Sequence, residues 1–118
     1  MRRVLAGVVM AVALIFASIG AHAEAASSAE DGISLYAQCI DQEFYFNQGM
    51  CVGYIVGISD AMKSGASILG WSACIPMSVT ERQEVAVTKQ FLTSYPESRQ
   101  LGAVRLIAHA LADAFPCH

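Results

Sequence analysis

Cys39, Cys51, Cys74 and Cys117 have the widest chemistry open to them in this chain. A thiolate can attack a carbonyl, hold zinc, or pair with a second thiol. Their gaps of 12, 23 and 43 residues lack the tight Cys-x-x-Cys pairs of a zinc site. An even cysteine count in a short exported chain reads as two disulfides, which leaves no thiol for nucleophilic catalysis. His109 follows Arg105 by four residues and precedes Asp113 by four, which on a helix makes a solvated charge ladder. His109 and Asp113 offer two metal ligands on one face, but the sequence positions no third, so no metal or cofactor is expected. No Gly-x-Ser-x-Gly elbow exists, and Gly57-Ile58-Ser59-Asp60 falls inside a helical pattern without the sharp turn a nucleophilic serine needs. A phosphate cradle requires a glycine loop leading into a helix, whereas these glycines recur within one. The residues point to a binding or structural protein and not to an enzyme.

The element at the centre of the chain is Gly49–Gly65. Gly49, Gly53, Gly57, Ala61 and Gly65 place a small residue at every fourth position, a stripe along one side of a helix. Each interior glycine costs roughly 0.5–1 kcal/mol relative to alanine, so a close-packed neighbour along Gly49, Gly53, Gly57 and Ala61 is expected to compensate. Met50, Cys51, Tyr54, Ile55, Ile58 and Met62 fill a broad apolar arc beside the stripe, with Ser59, Asp60 and Lys63 on the far side. Polar Asn47, Gln48, Ser59, Asp60 and Lys63 break the apolar run short of a membrane span. Asp60 is expected near the border of the buried face, paired with Lys63 or with a neighbouring helix start.

Other helices flank this one. Asp31 or Ser34 can cap a first short helix carrying Leu35, Tyr36, Cys39 and Ile40 on one side. Phe44-Tyr45-Phe46 lies in the connection and is expected to pack. Ser67–Ser78 shows no periodicity and reads as a loop tied down by Cys74. Ser78 with Glu81, or Thr80 with Gln83, makes a capping box for a helix that places Val85, Thr88, Phe91, Leu92 and Tyr95 on one face and ends at Pro96. A last helix starts at Pro96 or Ser98 and reaches about Phe115. It buries Leu101, Ala103, Val104, Ile107, Ala108, Ala110, Leu111 and Phe115 and leaves Arg105, His109 and Asp113 wet. No segment alternates with period 2, so the fold class is all-α, a small four-helix bundle stapled by two disulfides. Alternating helix directions favour Cys39–Cys51 with Cys74–Cys117. Cys39–Cys117 with Cys51–Cys74 stays open, and it needs the Ser67–Ser78 loop folded back along the second helix.

Met1-Arg2-Arg3, the uncharged apolar run Val4–Ile19 and the small-x-small site Ala21-His22-Ala23 have the layout of a secretory signal peptide, residues 1–23. One domain, residues 24–118, would follow cleavage, beginning in a loose tail from Glu24 to Gly32. Without Arg2 and Arg3, five basic residues face ten acidic ones, a net charge of −5. That balance argues against nucleic acid and favours a basic protein partner over an anionic surface.

Leu35-Tyr36-Ala37-Gln38-Cys39, Cys51-Val52-Gly53-Tyr54-Ile55-Val56-Gly57-Ile58-Ser59-Asp60, Cys74-Ile75-Pro76 and Phe115-Pro116-Cys117 occur in an order that resembles the Rap/Tai immunity-protein family. The resemblance spans essentially all of residues 24–118, with one departure at Met77-Ser78, where a glycine is expected before Val79-Thr80. It implies a small exported helical protein, a homodimer in the periplasm, that inhibits a peptidoglycan amidase toxin delivered by type VI secretion. It further implies that a loop plugs the toxin's cleft, and by position that loop is Tyr95-Pro96-Glu97-Ser98-Arg99, with Tyr95, Glu97, Ser98 and Arg99 as partner-binding residues. Glu97 and Arg99 are expected on exposed angles. A periplasmic stress or chaperone-like binding protein without a toxin partner is the alternative.

Overall fold

The computed structural model describes residues 29–118, so the signal peptide expected over 1–23 lies outside the described residues. Four helices form there: α1 (Gly32–Ile40), α2 (Tyr45–Lys63), α3 (Glu81–Ser94) and α4 (Ala103–Ala114). A 3-10 helix, Pro96–Gln100, joins α3 to α4. Among the described residues there is no strand, only the isolated bridges Asp31–Gly102 and Ile68–Trp71.

Local chemistry sets the ends. Asp31 caps α1, its carboxylate accepting from the Ser34 N–H at 2.8 Å. Thr80 and Gln83 form the reciprocal capping box of α3. Phe44 supplies no side-chain cap to α2. Asp41 instead orders the turn that leads into the helix, Oδ1 accepting from the N–H groups of Glu43 and Phe44 and Oδ2 from Asn47 Nδ2. These bonds hold its carboxyl below the usual value, the Asn47 bond most of all.

Leu35, Cys39, Cys51, Ile55, Met62, Leu92, Ala103, Leu106, Ile107, Ala108 and Leu111 make the core. The disulfides are Cys39–Cys51, closing α1 onto α2, and Cys74–Cys117, closing the loop before α3 onto the chain after α4. The loop also gives its Cys74 N–H to the Phe115 carbonyl at 2.8 Å.

Several sequence expectations are corrected. The tail is anchored before Gly32: the Glu30 carbonyl accepts from Ala103 N–H, and its carboxylate from Gln38 Nε2, both at 2.8 Å. Gly32 is buried where α1 meets the 3-10 helix. A Cβ there would lie 2.7 Å from the Arg99 carbonyl oxygen and 2.8 Å from Arg99 Cα, and would collide with Leu106. Phe44, Tyr45 and Phe46 do not pack; they are 62%, 87% and 77% exposed. The last helix is split, because Leu101 and Gly102 are extended between the 3-10 helix and α4. Leu101 and Val104 are consequently exposed, and Leu106 takes the core position.

The α2 arc divides into two faces. Its core face is Cys51, Ile55, Ser59 and Met62, so Ser59 is buried and not on the far side. Gly49, Gly53 and Gly57 are exposed, and an added Cβ at any of them would meet nothing within 4 Å. Among the described residues, no neighbour approaches these three glycines, and only Ala61 of the four expected contact positions is half-buried. Asp60 is exposed, and Lys63 pairs instead with the fully buried carboxylate of Glu84. That pair joins the end of α2 to the start of α3.

Candidate functional site

The 3-10 helix is exposed on one side and braced on the other. Tyr95, Pro96, Glu97 and Gln100 are exposed. Ser98 returns both its N–H and its hydroxyl to the Tyr95 carbonyl, at 3.0 and 2.8 Å. Arg99 is half-buried, which overturns its expected exposed angle. Its Nε donates to the Leu92 carbonyl at 2.7 Å, and its guanidinium lies 3.6 Å from the centre of the Tyr36 ring. Arg99 thus clamps the segment to α3 and α1, a cation–π contact included. Pro96 fixes its own φ and presets the turn. Of the four residues that the resemblance assigns here, Glu97 is exposed and Tyr95 is half-exposed with its ring against Phe91, whereas Ser98 and Arg99 hold the segment in shape.

Beside this segment lies an aromatic cluster that the sequence did not bring together. His109 stacks on Trp71 with ring centroids 3.9 Å apart and planes 13° apart. Phe91 meets the same imidazole edge-on at 4.8 Å, and Tyr95 tilts against Phe91 at 4.9 Å. His109 Nε2 lies 3.3 Å from Asp113 Oδ2, so that part of the ladder forms. His109 is half-buried, however, and not fully solvated. A helical wheel shows one helix at a time, and Trp71 comes from the aperiodic loop. Two signals could have found the cluster: Cys74, which ties that loop to the chain after α4, and Phe91, which shares the α3 face with Val85 and Thr88. Ser59 Oγ and Glu84 Oε2 are buried without a hydrogen-bond partner among the described residues.

Residues 31–117 match the family model of the Rap1a immunity proteins. The chain belongs to that family. Comparison with curated proteins and with solved structures found no significant match. Rap1a membership makes this an immunity protein, one that protects by binding a protein toxin. Both disulfides of this Rap1a protein suit an oxidising compartment outside the cytosol. The matched span includes every described helix, the 3-10 helix and all four cysteines, so both the braced segment and the aromatic cluster lie within the family domain.

Proposed function

We propose that this protein is a periplasmic immunity protein that inhibits a peptidoglycan amidase toxin delivered by type VI secretion. It is exported by cleavage of residues 1–23 and acts through Tyr95–Arg99. The observation that carries the placement is the braced 3-10 helix, an exposed turn whose shape is fixed from behind by Arg99 and Ser98. Such a turn loses little conformational entropy on entering a cleft. The amidase, the secretion route and the compartment rest on the family resemblance. Self-association fits the outward face of α2, where Phe46, Met50, Tyr54 and Ile58 flank the open glycine stripe. A helix apolar on both faces is one that expects a second neighbour.

The test uses the purified product of any amidase reading frame found beside this gene. The protein should inhibit it stoichiometrically. Glu97→Lys should keep helicity and melting temperature yet bind at least tenfold more weakly, about 1.4 kcal/mol. Unchanged affinity would move the site away from this segment. Arg99→Ala should lower the melting temperature as well, because Arg99 holds the segment in place. One observation favours a stress or chaperone-like role, namely the exposed run Phe44–Phe46. Suppression of aggregation of unrelated clients, without inhibition of any amidase, would select that reading.

A further inference from the structure

A cavity of about 400 Å³ opens between the Trp71 loop, α3, the 3-10 helix and α4. Its wall is aromatic and aliphatic: Trp71, Phe91, Tyr95, Leu101 and Leu106, with the His109 ring seated against Trp71 and Phe91. Most of its polar groups are already engaged. Ser98 gives its hydroxyl to the Tyr95 carbonyl. Asp113 faces His109 across 3.3 Å. Arg105 lines the cavity, is exposed, and has no hydrogen-bond or ion-pair partner among the described residues. Two of the other described cations are spoken for, Lys63 by Glu84 and Arg99 by Leu92 and Tyr36. Arg82 and Lys89 border other hollows.

A ligand that satisfies this cavity must lay an apolar, ring-sized body against the aromatic wall and bring one anionic group to the guanidinium. A cation would find Asp113 already faced by His109 and Arg105 repelling it. A dianion would meet a single free positive charge with a carboxylate nearby. A planar monoanion matches the guanidinium fork. We propose that this cavity is a binding site for an aromatic carboxylate, in which Arg105 pairs with the carboxylate and the ring lies against the wall of Trp71, Phe91 and Tyr95. The volume suits a single residue-sized group. The same chemistry is offered by a free aromatic acid and by a peptide chain ending in an aromatic residue.

Trp71 is the only tryptophan of the chain, so its fluorescence and its indole N–H resonance report occupancy directly. The probes are N-acetyl-phenylalanine, its uncharged amide, phenethylamine, and the tetrapeptide Gly-Gly-Ala-Phe with a free carboxylate. They are titrated into the purified protein with both disulfides intact. N-acetyl-phenylalanine should produce a saturable change with a Kd on the order of 1 mM, and the amide and the amine should bind at least tenfold more weakly. Arg105→Gln, at an exposed position, should reduce the acid to the level of the amide, while Lys89→Gln should leave it unchanged. A tetrapeptide that binds more tightly than the capped residue identifies a chain terminus as the source, and one that binds less tightly identifies a small acid. No saturable response to any probe up to roughly ten times that concentration would overturn the site. So would an amide that binds as well as the acid, or an Arg105→Gln protein that binds the acid as the parent does. No toxin enters the measurement, so its failure leaves the amidase reading standing, and the reverse holds too.

Discussion

Asp41 shows how much one carboxylate can organise at the joint between two helices. It follows the last residue of α1 and orders the turn into α2 through the N–H groups of Glu43 and Phe44 and the side chain of Asn47. Because these bonds hold its folded pKa below the ordinary value, its contribution is fully present above the unfolded pKa. It is lost as the pH falls through the lowered one. The stability gap between the parent and Asp41→Asn should therefore be flat at neutral pH and close on acidification, as measured by denaturant unfolding across pH. A gap that persists at the acid end would assign the effect to Asn47 geometry alone. Glu84 poses the opposite case, a carboxylate wholly buried against Lys63. Lys63→Met should cost about 3–5 kcal/mol by stranding that charge, whereas adding Glu84→Leu should recover most of the loss. Unfolding free energies of the two variants check both signs. Neither role was legible in the sequence. Asp41 sits in what reads as a connection, and Glu84 meets its partner 21 residues away on another helix. The Asp31 and Thr80–Gln83 caps were legible because they close within three or four residues.

At the scale of the element, α2 departs furthest from its helical wheel. The wheel identifies a helix and a small-residue stripe, but it cannot decide which side of a broad apolar arc meets the core. Packing against α1, α3 and α4 selects Cys51, Ile55, Ser59 and Met62. Gly49, Gly53 and Gly57 are left with open space beyond them. The expected effect of Gly57→Leu is accordingly twofold. In the isolated chain a Cβ at Gly57 meets nothing within 4 Å, so helix propensity should stabilise the fold by up to about 1 kcal/mol. If α2 is the seam between two copies, the same leucine should weaken self-association, read by analytical ultracentrifugation across concentration. A dimer untouched by the leucine would place the interface elsewhere. The last helix teaches a related lesson. Its apolar spacing continues through Leu101, yet the Asp31–Gly102 bridge and the bond from Gly32 N–H to the Leu101 carbonyl hold that residue extended. Tertiary pairing overrides a local pattern that sequence alone reads as one helix.

The two disulfides act on the whole molecule, and unequally. Cys39–Cys51 closes 12 residues between neighbouring helices, whereas Cys74–Cys117 closes 43 residues around α3 and α4. Alternating helix direction made this pairing the favoured one, since it places each pair at a common end of the bundle. In the chain-entropy model the shorter loop contributes about 3 kcal/mol and the longer about 4 kcal/mol. The longer one also fixes the loop that carries Trp71 against His109. Replacing Cys74 and Cys117 together by serine should therefore cost roughly 1 kcal/mol more than replacing Cys39 and Cys51. It should also make Trp71 fluorescence more exposed to a soluble quencher before global unfolding. The short-loop variant should leave Trp71 as shielded as in the parent until the fold is lost. Thiol titration of the denatured, unreduced parent should find no free thiol, in keeping with four paired cysteines. Equal losses in the two variants, with Trp71 equally shielded in both, would mean that α4 and its aromatic neighbours hold the loop without the covalent tie. The aromatic cavity would then be a property of packing and not of the disulfide.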